Sequence, residues 1–113
     1  MKVIIPENRL DEFFFKYLDS KFKDLEQVKG RYLDIVFRFP GEQAGIMGWS
    51  KNDDSNETFL SIYYKIIDDI FSLIPMEKRE IVKIIGRYIE NRYNLIVNDG
   101  SVYPYKYQID NWK

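Results

Sequence analysis

The chain contains no cysteine and no histidine. Those two absences exclude disulfides, zinc–thiolate centres, thiol nucleophiles and imidazole acid–base chemistry. Glycine occurs six times and proline four, and none of these positions forms a glycine-rich phosphate loop. No apolar run approaches membrane-spanning length, and the opening MKVII lacks the apolar core of a signal peptide. Neither sign of charge is in excess. Seventeen Lys and Arg against eighteen Asp and Glu give a net charge of −1, which supplies no bulk attraction for nucleic acid or anionic lipid. The expectation is a protein without enzymatic activity, cofactor, metal or membrane contact, located in the cytoplasm.

What the chain does have is apolar surface. Hydrophobic residues make up 45% and aromatics 17%, with nine Tyr and eight Phe, a composition that fits a folded globular chain. The 113 residues fit one domain, spanning 1–113, that buries roughly two thirds of its unfolded surface.

The dominant periodic segment is EKREIVKIIGRYIENRY, from Glu77 to Tyr93. Ile81, Ile84, Ile85, Tyr88 and Ile89 recur at helical spacing, while Lys83, Arg87 and Glu90 fall opposite. Pro75 suits a first helical position, with Glu77 and Glu80 near the positive end of the dipole. Earlier in the chain, Met1–Ile5 reads as a short strand. Pro6 opens a helix, PENRLDEFFFKYLDSKF, with a stripe of Leu10, Phe13, Phe14, Tyr17 and Leu18 extended by Phe22. Phe15 lies off that stripe and is read, with Phe22, as covering a sheet edge.

From Arg31 the period changes to two. Leu33, Ile35, Phe37 and Phe39 alternate with Asp34, Val36 and Arg38, which predicts a strand with one buried face, ended by Pro40-Gly41. Ala44–Ser50 reads as a second strand whose glycines leave room for a large neighbour or a bulge. Lys51–Glu57 is a polar loop, and Thr58–Tyr64 a third strand, completing an antiparallel meander. Lys65–Ile74 is helical, and Asn94–Val97 enters a strand. Asn98-Asp99-Gly100 then has the chemistry of a hairpin turn. The return strand VYPYKYQID puts Tyr103, Tyr105, Tyr107 and Ile109 on one face, with Pro104 marking an edge. The order β-α-β-β-β-α-α-β-β predicts an α+β fold: an antiparallel sheet, meander plus C-terminal hairpin, with the two longer helices on one face. A ferredoxin-like core with an extra strand is the neighbouring topology.

Few constellations could carry chemistry. Asp53, Asp54, Ser55 and Glu57 crowd one loop, but a calcium loop needs more acids and a glycine at a fixed place, so a solvated hairpin loop is expected. Adjacent Asp68 and Asp69 point about 100° apart on a helix, which suits charge near a helix start better than paired acid–base work. Basic residues stand beside aromatics at Arg31-Tyr32, Arg38-Phe39, Arg87-Tyr88, Arg92-Tyr93 and Tyr105-Lys106-Tyr107, a pattern some RNA-binding sheets use. The register does not match the RNP sequence, and RNA binding ranks below protein binding. Arg92 falls on the apolar side of the long helix. Either its stem packs while the guanidinium reaches the helix end, or it pairs in a buried site with Asp34 or Asp110. The candidate interface is the aromatic end of the chain: Tyr103, Tyr105, Tyr107 and Trp112. The competing reading has these tyrosines finish the buried face of the sheet.

The opening MKVIIPENRLDEFFFKYLDSKF resembles a loose group of short, uncharacterised bacteriophage-encoded proteins, in which a strand and polar cap precede a helix containing FKYL. IVFRFP, GIMGW, IYYKIIDDI and IENRYNL are similar to that group's middle and end; Pro6 departs from it, where a Ser or Thr cap is expected. The resemblance implies a phage origin and no activity. Combined with the exclusions above, it leads to a phage accessory or inhibitor protein that binds a host protein. The alternative is a structural component of the virion, with oligomeric state left open.

Overall fold

The computed structural model describes residues 10–109, and for residues 10 and 11 the backbone alone. The expected first strand, the helix start at Pro6, and Asp110 and Trp112 lie outside the described residues.

Helix α1 (Leu10–Phe22) buries Phe14, Leu18 and Phe22, four residues apart on one face, with Phe13 and Tyr17 half-buried at its margins. A short strand follows, β1 (Glu26–Val28), which the sequence pattern does not mark because three residues show no alternation. It pairs antiparallel with β2 (Ile35–Arg38), where Arg38 Nε donates to Glu26 Oε1 at 3.2 Å. A short, charged strand at the sheet's edge limits unwanted pairing with other chains.

Strand β2 departs from the one-faced expectation: Val36 and Phe37 are both fully buried. A second, two-stranded layer explains this. β3 (Ala44–Gly45) pairs with β7 (Tyr107–Gln108) and lies across the face opposite the helices. At Gly45 the layers approach so closely that a Cβ would stand 2.0 Å from Val36 Cγ1. The predicted strand Ala44–Ser50 therefore divides at Ile46. Its N–H donates to Phe37 O at 2.9 Å and its carbonyl accepts from Tyr63 N–H at 2.8 Å, so Ile46 stays in the main sheet. β4 (Met47–Lys51) continues there, and β5 (Thr58–Tyr63) completes the expected antiparallel meander.

Helix α2 (Tyr64–Leu73) follows β5 directly, and α3 (Lys78–Tyr93) begins three residues beyond Pro75, which sits in the link rather than at a first helical position. On α3, Ile81, Ile84, Ile85, Tyr88 and Ile89 are buried as the periodicity requires, joined by Val82 and Gly86. The helix ends at Asn94 in the left-handed conformation (φ 55°, ψ 44°). Phe15 leans on Tyr88 edge-to-face, ring centroids 6.0 Å apart, so it joins α1 to α3 rather than covering a sheet edge.

The C-terminal hairpin is not formed. β6 (Asp99–Tyr103) runs parallel to β5, from Phe59 opposite Asp99 to Tyr63 opposite Tyr103, after a two-helix crossover. A tight hairpin at Asn98-Asp99-Gly100 would need positive φ, and none of the three has it. Asn98 instead locks the start of the parallel pair. Its Oδ1 accepts from the N–H and hydroxyl of buried Thr58 at 2.9 and 3.0 Å, and its N–H donates back to Thr58 Oγ1 at 3.0 Å. Gly100 is required by contact, since a Cβ there would lie 2.7 Å from Val82 Cγ1 of α3.

The class is α+β: the described residues form a mixed five-stranded sheet in the order β1-β2-β4-β5-β6, a two-stranded sheet, and three helices. Phe14 and Leu18 of α1, Ile85 and Ile89 of α3, and Phe37, Met47, Leu60 and Ile62 of the sheet share one core, which places both longer helices on one face. Parallel β5 and β6 are direct neighbours, which separates this arrangement from the split βαβ of a ferredoxin-like core. Among the described residues no helix is long and apolar enough to cross a membrane.

Candidate functional site: a tyrosine face

The face opposite the long helices is built from the three segments that the β3–β7 layer brings together. β6 ends at Tyr103, the chain bends through Pro104, Tyr105 and Lys106, and β7 resumes at Tyr107. The single return strand expected over this stretch is thus two short strands with a bend between them. Pro104 can donate no ladder hydrogen bond, and β6 stops one residue before it. Tyr103, Tyr105 and Tyr107 nevertheless converge. Tyr103 packs against Tyr107 at 5.8 Å between centroids, nearly parallel at 28°, and against Tyr105 at 6.0 Å and 69°.

The three have different roles. Tyr107 is only 8% exposed, and its ring lies over the backbone at Gly48, where a Cβ would be 3.5 Å from Tyr107 Cδ1. Its hydroxyl shares a short hydrogen bond with Ser61 of β5. Burial pushes the phenol up to about 12, against the opposing pull of the Ser61 hydrogen bond. It is therefore protonated near neutral pH and cannot serve Ser61 as a base. Tyr103 is 48% exposed and Tyr105 69%.

Tyr32, from the loop before β2, is 77% exposed and completes the group. The Arg31 N–H donates to Gln108 O at 3.1 Å, tying that loop to β7, and the Arg31 guanidinium lies 5.7 Å from the Tyr32 ring centroid. The Lys106 ammonium stands 5.8 Å from the Tyr63 ring. Between Tyr32, Tyr103, Tyr105, Lys106 and Tyr107 is a cleft of about 440 Å³. The sequence flagged Tyr32 as half of a basic–aromatic pair and not as a neighbour of the C-terminal tyrosines. The missing signal was the pairing of the Tyr32 loop with the end of the chain, where Gly30 bridges to Ile109 and the Arg31 N–H reaches Gln108 O.

Comparison with known protein families, with curated proteins and with solved structures returns no match.

The other candidates fall elsewhere. The basic–aromatic pairs are scattered: Arg38 serves Glu26 at the β1 edge, whereas Arg87 and Arg92 lie on α3. Arg92 is exposed, with Nη2 donating to Lys23 O at 3.3 Å and Nε 3.7 Å from Asp19 Oδ1, so its guanidinium crosses to the C-terminal end of α1 and does not simply serve the end of its own helix. Asp34 is not its partner and instead accepts the Lys51 N–H at 2.9 Å. Asp19 also accepts from Tyr88, at 3.0 Å; burial and this bond both push the Tyr88 phenol up. Asp68 lies in the second turn of α2 and bridges to Lys78 at 3.0 Å, so it links α2 to α3 rather than complementing a helix start. The loop after β4 is organised by Asn52, whose Oδ1 accepts from the N–H groups of Asp54 and Ser55. Among the described residues, no three acidic side chains gather where an ion could be held.

Proposed function

We propose that the protein acts without catalysis, by binding another protein through the tyrosine face. The observation that carries this reading is the set of three exposed tyrosines, Tyr32, Tyr103 and Tyr105, around one cleft on a buried Tyr107. Tyrosine offers a large contact area with a polar tip at little rotamer cost, and it is enriched where interfaces hold most of their energy. Mutual packing of Tyr103 with Tyr105 and Tyr107 restrains the rings before any partner arrives, which lowers the ordering cost of association. The resemblance to phage-encoded proteins makes a host protein the proposed partner.

A photo-crosslinking residue at position 105 tests this in host lysate. The reading expects a discrete heavier species that is absent when the same residue replaces exposed Lys16 on α1. Identical products from both positions, or none from position 105, would count against it.

A further inference from the structure

We propose a second interaction surface, distinct from the tyrosine face: the groove between α3 and the edge of β6, which takes an acidic peptide in extended conformation as an added strand. Among the described residues β6 is the last strand of the sheet, paired to β5 on one side only. A groove of about 660 Å³ runs along its other side, with an apolar floor of Val82, Gly86, Val97 and Val102. Its α3 wall carries Lys78, Arg79, Lys83 and Arg87.

Neither Arg79 nor Lys83 of that wall forms an ion pair with a carboxylate lining the groove. Its carboxylates, Glu90 and Asp99, each hold a backbone N–H, of Val97 and of Gly100, both at 2.9 Å. Lys78 is held by Asp68 at 3.0 Å and lies over the Phe71 ring. Among the described residues Lys83 has only an exposed, 3.8 Å contact with Glu80, a kind of pair that solvent and ligands readily exchange. Arg79 has no acidic partner among the described residues. The proposal therefore rests on Arg79 and Lys83.

Their spacing matches the ligand. Positions i and i+4 of a helix are about 6 Å apart along its axis, and alternate residues of a strand about 6.6 Å apart. An extended peptide with Glu at every second position thus meets Arg79 and Lys83 in step, while its backbone faces β6. Strand addition of this kind takes affinity from main-chain hydrogen bonds and selectivity from alternate side chains. Asp99 explains why the edge does not pair indiscriminately: its carboxylate occupies the Gly100 N–H until an incoming strand replaces it.

The test uses the full chain and a fluorescein-labelled octapeptide of alternating Val and Glu, followed by anisotropy. Saturable binding is expected. It should weaken by roughly tenfold or more when alternate peptide nitrogens are methylated, and equally with Arg79→Glu/Lys83→Glu. Tyr32→Ala should leave it unchanged. Equal affinity for the methylated peptide, or for a single-stranded oligonucleotide of the same charge, would reduce the groove to unspecific attraction and overturn the proposal. So would absence of binding, or a dimer in sedimentation that Lys83→Glu dissolves, since a second copy would then own the edge. Both substituted residues are exposed, and an unchanged melting curve guards against misfolding.

Discussion

Tyr107 and Ser61, 46 residues apart, share a hydrogen bond that ties the β3–β7 layer to β5 of the main sheet. It fixes the buried tyrosine on which the exposed ones stand. The phenol is raised to about 12 from an ordinary value near 10, chiefly by burial. A raised folded-state value means that both states are neutral below pH 10 and stability is complete there. Between about pH 10 and 12 the unfolded chain ionises while the folded one does not, and stability falls.

Tyr107→Phe is accordingly expected to flatten the loss of stability between about pH 10 and 12, by on the order of 2 kcal/mol. Urea unfolding at pH 8, 10 and 11 checks it. Tyr88 and Tyr93 are raised in the same direction, so part of the slope should survive. An unchanged slope would place the Tyr107 phenol in water.

Asn98→Ala should cost about 1–3 kcal/mol, because it leaves the N–H and hydroxyl of buried Thr58 without their shared acceptor. Amide exchange in β6 should accelerate with it. A cost below about 0.5 kcal/mol would mean that this side chain does not anchor the parallel pairing.

Much of this architecture was legible locally. Helices α1 and α3 show their 3.6-residue stripes plainly, and the β2–β4–β5 meander follows from alternation and turn residues. What was not legible depended on distant pairing. Asn98-Asp99-Gly100 has hairpin chemistry, yet Thr58, 40 residues away, claims Asn98. Val36 looked like a solvent-facing position until Gly45 brought a second layer onto it. Pairing of Gly30 with Ile109 and of Arg31 with Gln108 recruits Tyr32 to the site, and no local pattern around Tyr32 contains that fact. Tyr103, Tyr105 and Tyr107 were legible as a group, but their division into one buried support and two exposed members was not.

Asp53→Asn with Asp54→Asn should shift stability by less than about 1 kcal/mol, with or without added calcium, since both residues are exposed and Asn52 organises the loop. Thermal melts of parent and variant in calcium and in chelator decide the matter. A calcium-dependent rise in the parent's midpoint, lost in the variant, would contradict it.

The central claim is that the exposed tyrosines bind while the buried one supports. Its most direct measurement is the affinity of the crosslinked host protein for the parent and for Tyr32→Ala/Tyr105→Ala, by calorimetry, beside the thermal midpoint of each. The expected result is an unchanged midpoint with a loss of about 2–4 kcal/mol in binding, roughly thirtyfold or more in Kd. Unchanged affinity in a variant that melts like the parent would contradict the claim.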